Sequence, residues 1–173
     1  MNGLSHAGQA ACRAHRGPGA LSHNLSQIRP LDQGHGEERL FIDDPGVVIE
    51  RDAKGVAHIT GATRADSMYG VGFVSIQDRV LLMEQLRGPS RLAAIDAPGI
   101  DPFQVLGSGG SFTPTAQTEA FLAAQVPLLQ SLGPAGQQIV DDIDAYVAGI
   151  NDARTLGGVP TPAWTRNDVI AIA

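Results

Sequence analysis

The fold is decided by one stretch of the sequence, VVIERDAKGVAHIT at residues 47–60. Residues 47–52 are β-branched and then polar, and residues 56–60 resume the same strand-like pattern. Between them, Ala53-Lys54-Gly55 has the composition of a turn, in which the glycine can adopt a positive φ. The stretch therefore predicts a β-hairpin. His58 is interpreted as a strand residue held by a neighbour rather than as a catalytic base.

A long helix is predicted directly after the hairpin. Thr63 and Asp66 match a capping box, in which the threonine hydroxyl and the acid three residues later satisfy backbone N–H groups. Apolar side chains then recur every three or four residues to about Arg87, as on one face of a helix. This face consists of Met68, Tyr69, Gly72, Phe73, Ile76, Val80, Met83 and Leu86 or Arg87. Gly70 and Gly72 each cost about 1 kcal/mol in a helix relative to alanine, which indicates close backbone packing or a non-helical first turn.

The middle of the chain is predicted to be a loop followed by a helix. Prolines and glycines recur from Pro89 to residue 110 and break the helical pattern. A helix resumes after Pro114 and runs toward Leu132, with an interruption expected at Pro127. Gly133-Pro134 then predicts a firm stop.

Two more helices are predicted in the last third of the chain. The first spans residues 135–153, where Ile139, Ile143, Tyr146, Val147 and Ile150 lie at helical spacing. The second begins at another capping-box pattern, Thr165-Arg166-Asn167-Asp168. Its apolar continuation to Ala173 is short for a stable helix, which favours a truncated domain. The predicted fold class is α+β, mostly helical, with an N-terminal β-hairpin.

The first 38 residues differ from the rest in being polar and aperiodic. We expect residues 1–38 to form a disordered extension and residues 39–173 to form one domain, truncated at its C-terminal end. Cys12 is interpreted as an incidental residue of this extension. The histidines there lack the close spacing of a metal site. No apolar core follows the early arginines, as a signal peptide requires, so the chain would be cytoplasmic if Met1 is the true start.

Composition excludes several classes of function. Lys and Arg total 12 against 18 acids, giving a net charge of −6, and the basic residues are scattered. Electrostatic binding of nucleic acid is therefore not expected. No run of apolar residues reaches the 18 or so that a membrane-spanning helix needs. A single cysteine can form neither an internal disulfide nor a cysteine-rich metal site.

The residues give few signatures of chemistry. No nucleophile elbow is present, and the glycine run at residues 107–110 lacks the lysine of a phosphate-binding loop. The acids at residues 141–144 miss the EF-hand spacing, and we interpret them as complementing a helix dipole. Asp78 and Arg79 are interpreted as members of a buried ion-pair network, so Arg79→Ala should destabilise far more than His58→Ala. We predict no catalytic, cofactor-binding or metal-binding residue in this chain.

The order of several segments resembles the penicillin acylase family. Residues 48–59, VIERDAKGVAHI, resemble its "RD-x-x-G-V-x-H-I" segment, and residues 69–84, YGVGFVSIQDRVLLME, resemble its "Y-G-x-G-[YF]-x-x-A-[QE]-D-R" block. Arg91-Leu92-Ala93 is similar to its "G-R-L-A-E" stretch. DAYVAGIN at residues 144–151 and WTRNDV at residues 164–169 resemble two later helical segments. The match departs from the family around Gly88-Pro89-Ser90 and Ala94-Ile95-Asp96.

The resemblance implies an N-terminal-nucleophile hydrolase that cleaves N-acyl compounds such as β-lactams or acyl-homoserine lactones. In such enzymes a precursor cuts itself, and the new N-terminal serine of the β chain attacks an amide with its own amine as base. The implied fold is a four-layer αββα core, to which this chain contributes the α-chain part. The implied partner is the β chain of the same precursor. Family members are usually periplasmic or secreted, so the localisation stays open.

The resemblance also places functional residues outside this sequence. It puts the acyl-pocket residues and an acidic calcium ligand beyond Ala173, on the helix that begins at Thr165. Calcium is therefore a possible cofactor of the complete enzyme, and none is expected in this fragment, which alone should be inactive. Two alternatives remain open. One is a non-catalytic helical binding or scaffold module derived from the same family, and the other is a cytoplasmic regulator that uses Cys12.

Overall fold

The computed structural model describes residues 38–41, 46–92, 101–108, 113–159 and 162–173. These residues form one antiparallel sheet and five helices, which confirms the predicted α+β, mostly helical class. The strands are β1 (Glu38–Phe41), β2 (Val47–Arg51) and β3 (Ala57–Gly61). The helices are α1 (Arg64–Arg91), α2 (Pro102–Gly107), α3 (Ala116–Gln130), α4 (Pro134–Leu156) and α5 (Arg166–Ile172).

The predicted hairpin is confirmed, and it belongs to a three-stranded sheet of order β1-β2-β3. Gly55 adopts φ +80 in the turn between β2 and β3. The Asp52 carboxylate accepts hydrogen bonds from the backbone N–H groups of Lys54 and Val56, both at 2.9 Å. His58 lies on β3 with Nε2 3.6 Å from the Asp52 carboxylate, as expected of a strand histidine held by a neighbour. The sequence did not predict β1, which at four residues is too short to show alternation.

Helix α1 begins at the predicted capping box, where Thr63 and Asp66 bond reciprocally. It kinks at Arg79, whose φ of −136 and ψ of 30 are not helical. The prediction that Pro89 ends the helix is wrong, because α1 continues to Arg91 and the Leu92 N–H still bonds to the Pro89 carbonyl. Pro89 and Arg91 are buried. Tertiary contacts of the last turn therefore outweigh the hydrogen bond that proline removes.

Helices α1 and α4 cross through glycines. A Cβ added at Gly72 would overlap the Tyr146 carbonyl, and one added at Gly149 would overlap the Tyr69 carbonyl. The close packing expected at Gly72 is thus found, on both sides of the crossing. The crossing lies between two apolar clusters. One contains Val47, Ile49, Tyr69 and Phe73 and joins sheet to helix, and the other contains Ile76, Ile150 and Trp164.

The remaining helices correct two expectations. Pro127 does not interrupt α3, because the Ser131 N–H bonds to the Pro127 carbonyl at 3.0 Å and the helix runs on to Gln130. Residues 102–107, expected to be loop, form the short helix α2. The stop at Gly133-Pro134 is confirmed, with Gly133 at φ +79 and Pro134 opening α4. The predicted extension lies outside the described residues up to position 37, and its disorder stays a prediction.

Candidate functional site

A group of buried and half-buried charged side chains joins the end of α1 to the start of α5. Asp168, only 2% exposed, accepts hydrogen bonds from Arg87 Nε and Nη2, both at 3.1 Å, and from Arg91 Nη1 at 3.0 Å. It also accepts from the Thr165 backbone N–H at 2.7 Å, which is the capping box predicted for α5. One carboxylate therefore both caps a helix and neutralises two arginines.

Helix α4 enters the same group through Arg154. Glu84 accepts from Arg154 Nε at 2.5 Å, from Trp164 Nε1 at 2.9 Å and from Arg87 Nη1 at 3.3 Å. Asn151 holds the backbone of Trp164 on both sides, accepting from its N–H at 2.7 Å and donating to its carbonyl at 3.0 Å. The tryptophan just before α5 is thereby fixed in position and orientation.

Helix α3 completes the group through Glu119. Its carboxylate bonds to Arg91 Nε and accepts from Asn167 Nδ2 at 2.8 Å. The Arg87 guanidinium also lies 5.1 Å from the centre of the Trp164 ring, within the range of a cation–π contact. We define the arginine cluster as Glu84, Arg87, Arg91, Glu119, Arg154 and Asp168. Its members come from α1, α3, α4 and α5, so it ties four helices together.

Two carboxylates of the arginine cluster, those of Asp168 and Glu119, are held in their ionised form. Burial is the largest influence on Asp168 and opposes its charge, but the hydrogen bonds from Arg87 and Thr165 outweigh it and lower the pKa of Asp168. The hydrogen bond from Arg91 is the main reason that the pKa of Glu119 is lowered. A general base works best with a pKa near the operating pH. These carboxylates therefore suit a structural role and not proton transfer.

An apolar groove of about 490 Å³ lies beside the arginine cluster, between α1, α4 and α5. It is lined by Met68, Arg79, Leu82, Met83, Leu86, Ile139, Asp142, Ile143, Tyr146, Trp164, Val169, Ile172 and Ala173. Its two charged residues differ. Asp142 accepts from Arg64 Nε at 2.8 Å and from Arg64 Nη2 at 2.7 Å. Arg79 is exposed and makes no ion pair with any described residue.

Comparison with known protein families identifies the family of this chain. A family model described as penicillin amidase matches residues 46–173. The chain belongs to the penicillin amidase family. No curated protein matches the chain. The matched residues include the hairpin, the arginine cluster and the groove, so all the geometry above lies within the penicillin amidase region.

Within this penicillin amidase region, the predicted role of Asp78 and Arg79 is wrong. Asp78 is exposed and accepts from Arg51 Nη2 at 2.5 Å, which ties α1 to the hairpin. The ion pairs with the buried Asp168 instead involve Arg87 and Arg91, about two and three turns further on. One feature of the sequence could have indicated the role of Arg87. Arg87 occupies a position on the apolar face of the predicted helix.

The acids at residues 141–144 also have a different role from the one expected. They lie about two turns into α4 rather than in its first turn, so a helix-dipole effect does not explain them. Asp142 pairs with Arg64, Asp144 pairs with Arg166, and Asp141 accepts from Gln137. They are tertiary and local contacts of the penicillin amidase fold.

Two general findings concern the described part of the chain alone. Its residues contain no group of three or more His, Cys, Asp or Glu side chains placed to hold a metal ion. None of its helices is both long and apolar enough to cross a membrane. Cys12 and four of the five histidines lie outside the described residues.

Proposed function

We propose that this chain is the α-chain portion of an amide hydrolase that cleaves linear carbon–nitrogen amide bonds. The observation that carries the proposal is the penicillin amidase match over residues 46–173. The substrates are small N-acyl compounds, such as β-lactams or acyl-homoserine lactones. The partner is the β chain of the same precursor, whose N-terminal serine attacks the amide carbonyl and whose α-amine accepts the proton.

The contacts of the described residues are those of a structural part of the enzyme rather than of its catalytic centre. Each carboxylate of the arginine cluster bonds to at least one arginine, and the pKa values of Asp168 and Glu119 are lowered. None of the described residues combines a nucleophile, a base and an orienting group at hydrogen-bond distance. In this proposal the chain alone is inactive, and the β chain also supplies the donors that stabilise the oxyanion.

The sheet supports assembly into a larger core. Among the described residues, β3 pairs with β2 on one side only, so its other edge offers backbone N–H and C=O groups to a further strand. In the proposed enzyme this edge or that of β1 joins strands of the β chain within an αββα arrangement. Calcium, if the complete enzyme binds it, uses ligands outside this chain.

The alternative is a non-catalytic helical binding module of the same family. The apolar groove favours this alternative, because it is a ready binding surface on the helical part of the chain. The two functions differ in what the gene encodes downstream of Ala173. A helix, a spacer and a Gly-Ser junction followed by a β chain would support the hydrolase, whereas a stop would support the module.

Co-expression of the chain with its β chain, compared with expression alone, tests the proposal. Turnover is measured on N-acyl substrates that carry chromogenic leaving groups. We expect activity and good solubility only with the β chain, since exposed apolar surface promotes association. A soluble, monomeric chain that melts cooperatively alone would favour the binding module. Turnover by the chain alone would overturn the proposal.

A further inference from the structure

The groove between α1, α4 and α5 is built from side chains at helical spacing on each of its three walls. The lining residues of α1 after the kink are Arg79, Leu82, Met83 and Leu86, and those of α4 are Ile139, Asp142, Ile143 and Tyr146. Both sets follow the i, i+3, i+4, i+7 pattern, which marks one face of a helix. Val169 and Ile172 of α5, together with Ala173 directly after it, follow the first three positions of this pattern. Ridges of this kind are the surface on which another helix packs.

The groove leaves large apolar side chains partly in solvent. Leu82 is 38% exposed, Ile139 44% and Ile172 43%, one on each wall. Single exposed apolar residues are ordinary, but a contiguous set on facing walls marks an interaction site. An amphipathic helix would bury all three residues at once, with its own apolar face inserted between the walls.

The charged residues that line the groove indicate which kind of helix can bind there. Asp142 already accepts three hydrogen bonds from Arg64 and one from Gln138 at 3.1 Å. Arg79 is the one positively charged residue that lines the groove, and it pairs with no described acid. A helix that covers the groove partly desolvates this guanidinium, which is unfavourable unless an acid faces it. The complementary occupant is thus apolar with one acidic residue.

We propose that the groove seats an amphipathic helix of the β chain, which places an acidic side chain against Arg79. This inference rests on the proposed function, because that function supplies the β chain. It specifies the surface at which the two chains meet and the type of contact, apolar side chains with one ion pair. The three walls and the unpaired arginine together specify a helix with apolar residues at i, i+3, i+4 and i+7 and an acid at one end of that stripe.

The test uses the chain co-expressed with its β chain, with a photo-cross-linking amino acid in place of Ile139. The matched control carries the same amino acid in place of Leu128, which is 60% exposed on α3 and lies outside the groove. We expect the Ile139 position to cross-link to a β-chain helix that contains an acid, and the Leu128 position not to do so. Cross-links from position 139 to other parts of this chain only, or to a small molecule, would overturn the inference.

Substitutions then measure how much the groove contributes. Leu82→Asp and Arg79→Glu should reduce the β chain recovered with the tagged chain roughly tenfold or more, whereas Leu128→Asp should not. Changing the cross-linked acid to lysine should restore recovery with Arg79→Glu. Unchanged recovery with both groove variants would show that the chains meet elsewhere, while the proposed function stands if the complex is active. Failure of the unsubstituted chains to associate would instead contradict the proposed function.

Discussion

Helix α1 is joined to the rest of the helices in two different ways along its length. Near its start it crosses α4 through bare backbone, because Gly72 and Gly149 leave no room for a Cβ against the opposite carbonyls. Near its end it is held by charge, through Arg87 and Arg91 on the buried Asp168. The crossing requires that Gly72 and Gly149 have no side chains, whereas the charged contact requires that each arginine keeps its carboxylate partner.

The two ends of α1 should therefore respond differently to substitution. A steric contact can relax by a small shift of one helix, so the cost of an added methyl is limited by how far α1 and α4 can move apart. A buried charge cannot relax into water without unfolding its surroundings. Loss of one partner in the arginine cluster should therefore cost more than a methyl group at the crossing.

The largest effect is expected for Asp168→Ala. It leaves the buried Arg91 and the half-buried Arg87 without their shared carboxylate and removes the cap of α5, at a cost of about 3–5 kcal/mol. Urea unfolding followed by circular dichroism measures it. The matched control is Asp144→Ala, which removes an ion pair whose side chains are 45% and 44% exposed, worth less than about 1 kcal/mol. Equal losses from the two variants would show that burial does not strengthen the cluster.

A smaller loss is expected for Gly72→Ala at the crossing. The added methyl overlaps the Tyr146 carbonyl and forces α1 and α4 apart, at a cost of about 1–3 kcal/mol that is partly offset by the higher helix propensity of alanine. Gly107→Ala is the control, since a Cβ there meets nothing within 4 Å. The same unfolding experiment applies. If Gly72→Ala is as harmless as its control, the backbones at the crossing are not in close contact.

The sequence predicted those features of the fold that depend on residues close together in the chain. The turn at Gly55 and the capping boxes at Thr63 and Thr165 each follow from residues near one another in the chain. At Gly72 the sequence left close packing and a non-helical first turn open, and the structure shows close packing against Tyr146. The arginine cluster was missed because its partners are distant. Arg87 and Asp168 are separated by 81 positions, and spacing within one helix cannot reveal such pairs.

Proline explains two further errors. Pro89 and Pro127 were expected to break helices, because proline removes an N–H donor and clashes with the preceding turn. Both lie inside helices instead; α1 is buried from Pro89 to Arg91, and α3 buries Thr118 and Leu122. Local propensity is a weak guide wherever tertiary contacts are this strong. The groove was also missed, since an open surface between three helices requires their relative positions.

Acid should weaken the charged end of α1 before it affects the crossing. The pKa values of Asp168 and Glu119 are lowered in the folded state, so the stability they contribute is present above the unfolded values near 4 and is lost as pH falls through the lower folded values. The melting temperature should therefore drop from about pH 5 toward pH 3. In Asp168→Asn the drop should be shallower, while Gly72→Ala should keep the slope of the unsubstituted protein. Parallel slopes in all three would contradict the assignment.

The smallest effect is expected for Arg79→Ala, and it reverses what the sequence indicated. Arg79 lies at the kink between the two ends of α1, exposed and without an ion pair among the described residues. Its removal should change stability by no more than about 0.5 kcal/mol, as for other surface positions. The effect should match that of His58→Ala, another exposed side chain, and fall far below that of Arg87→Ala in the same melting experiment. A loss comparable to Arg87→Ala would mean that Arg79 belongs to the buried network after all. If Arg79→Ala leaves stability unchanged but weakens binding of the proposed β chain, Arg79 contributes to binding in the groove and not to the stability of the fold.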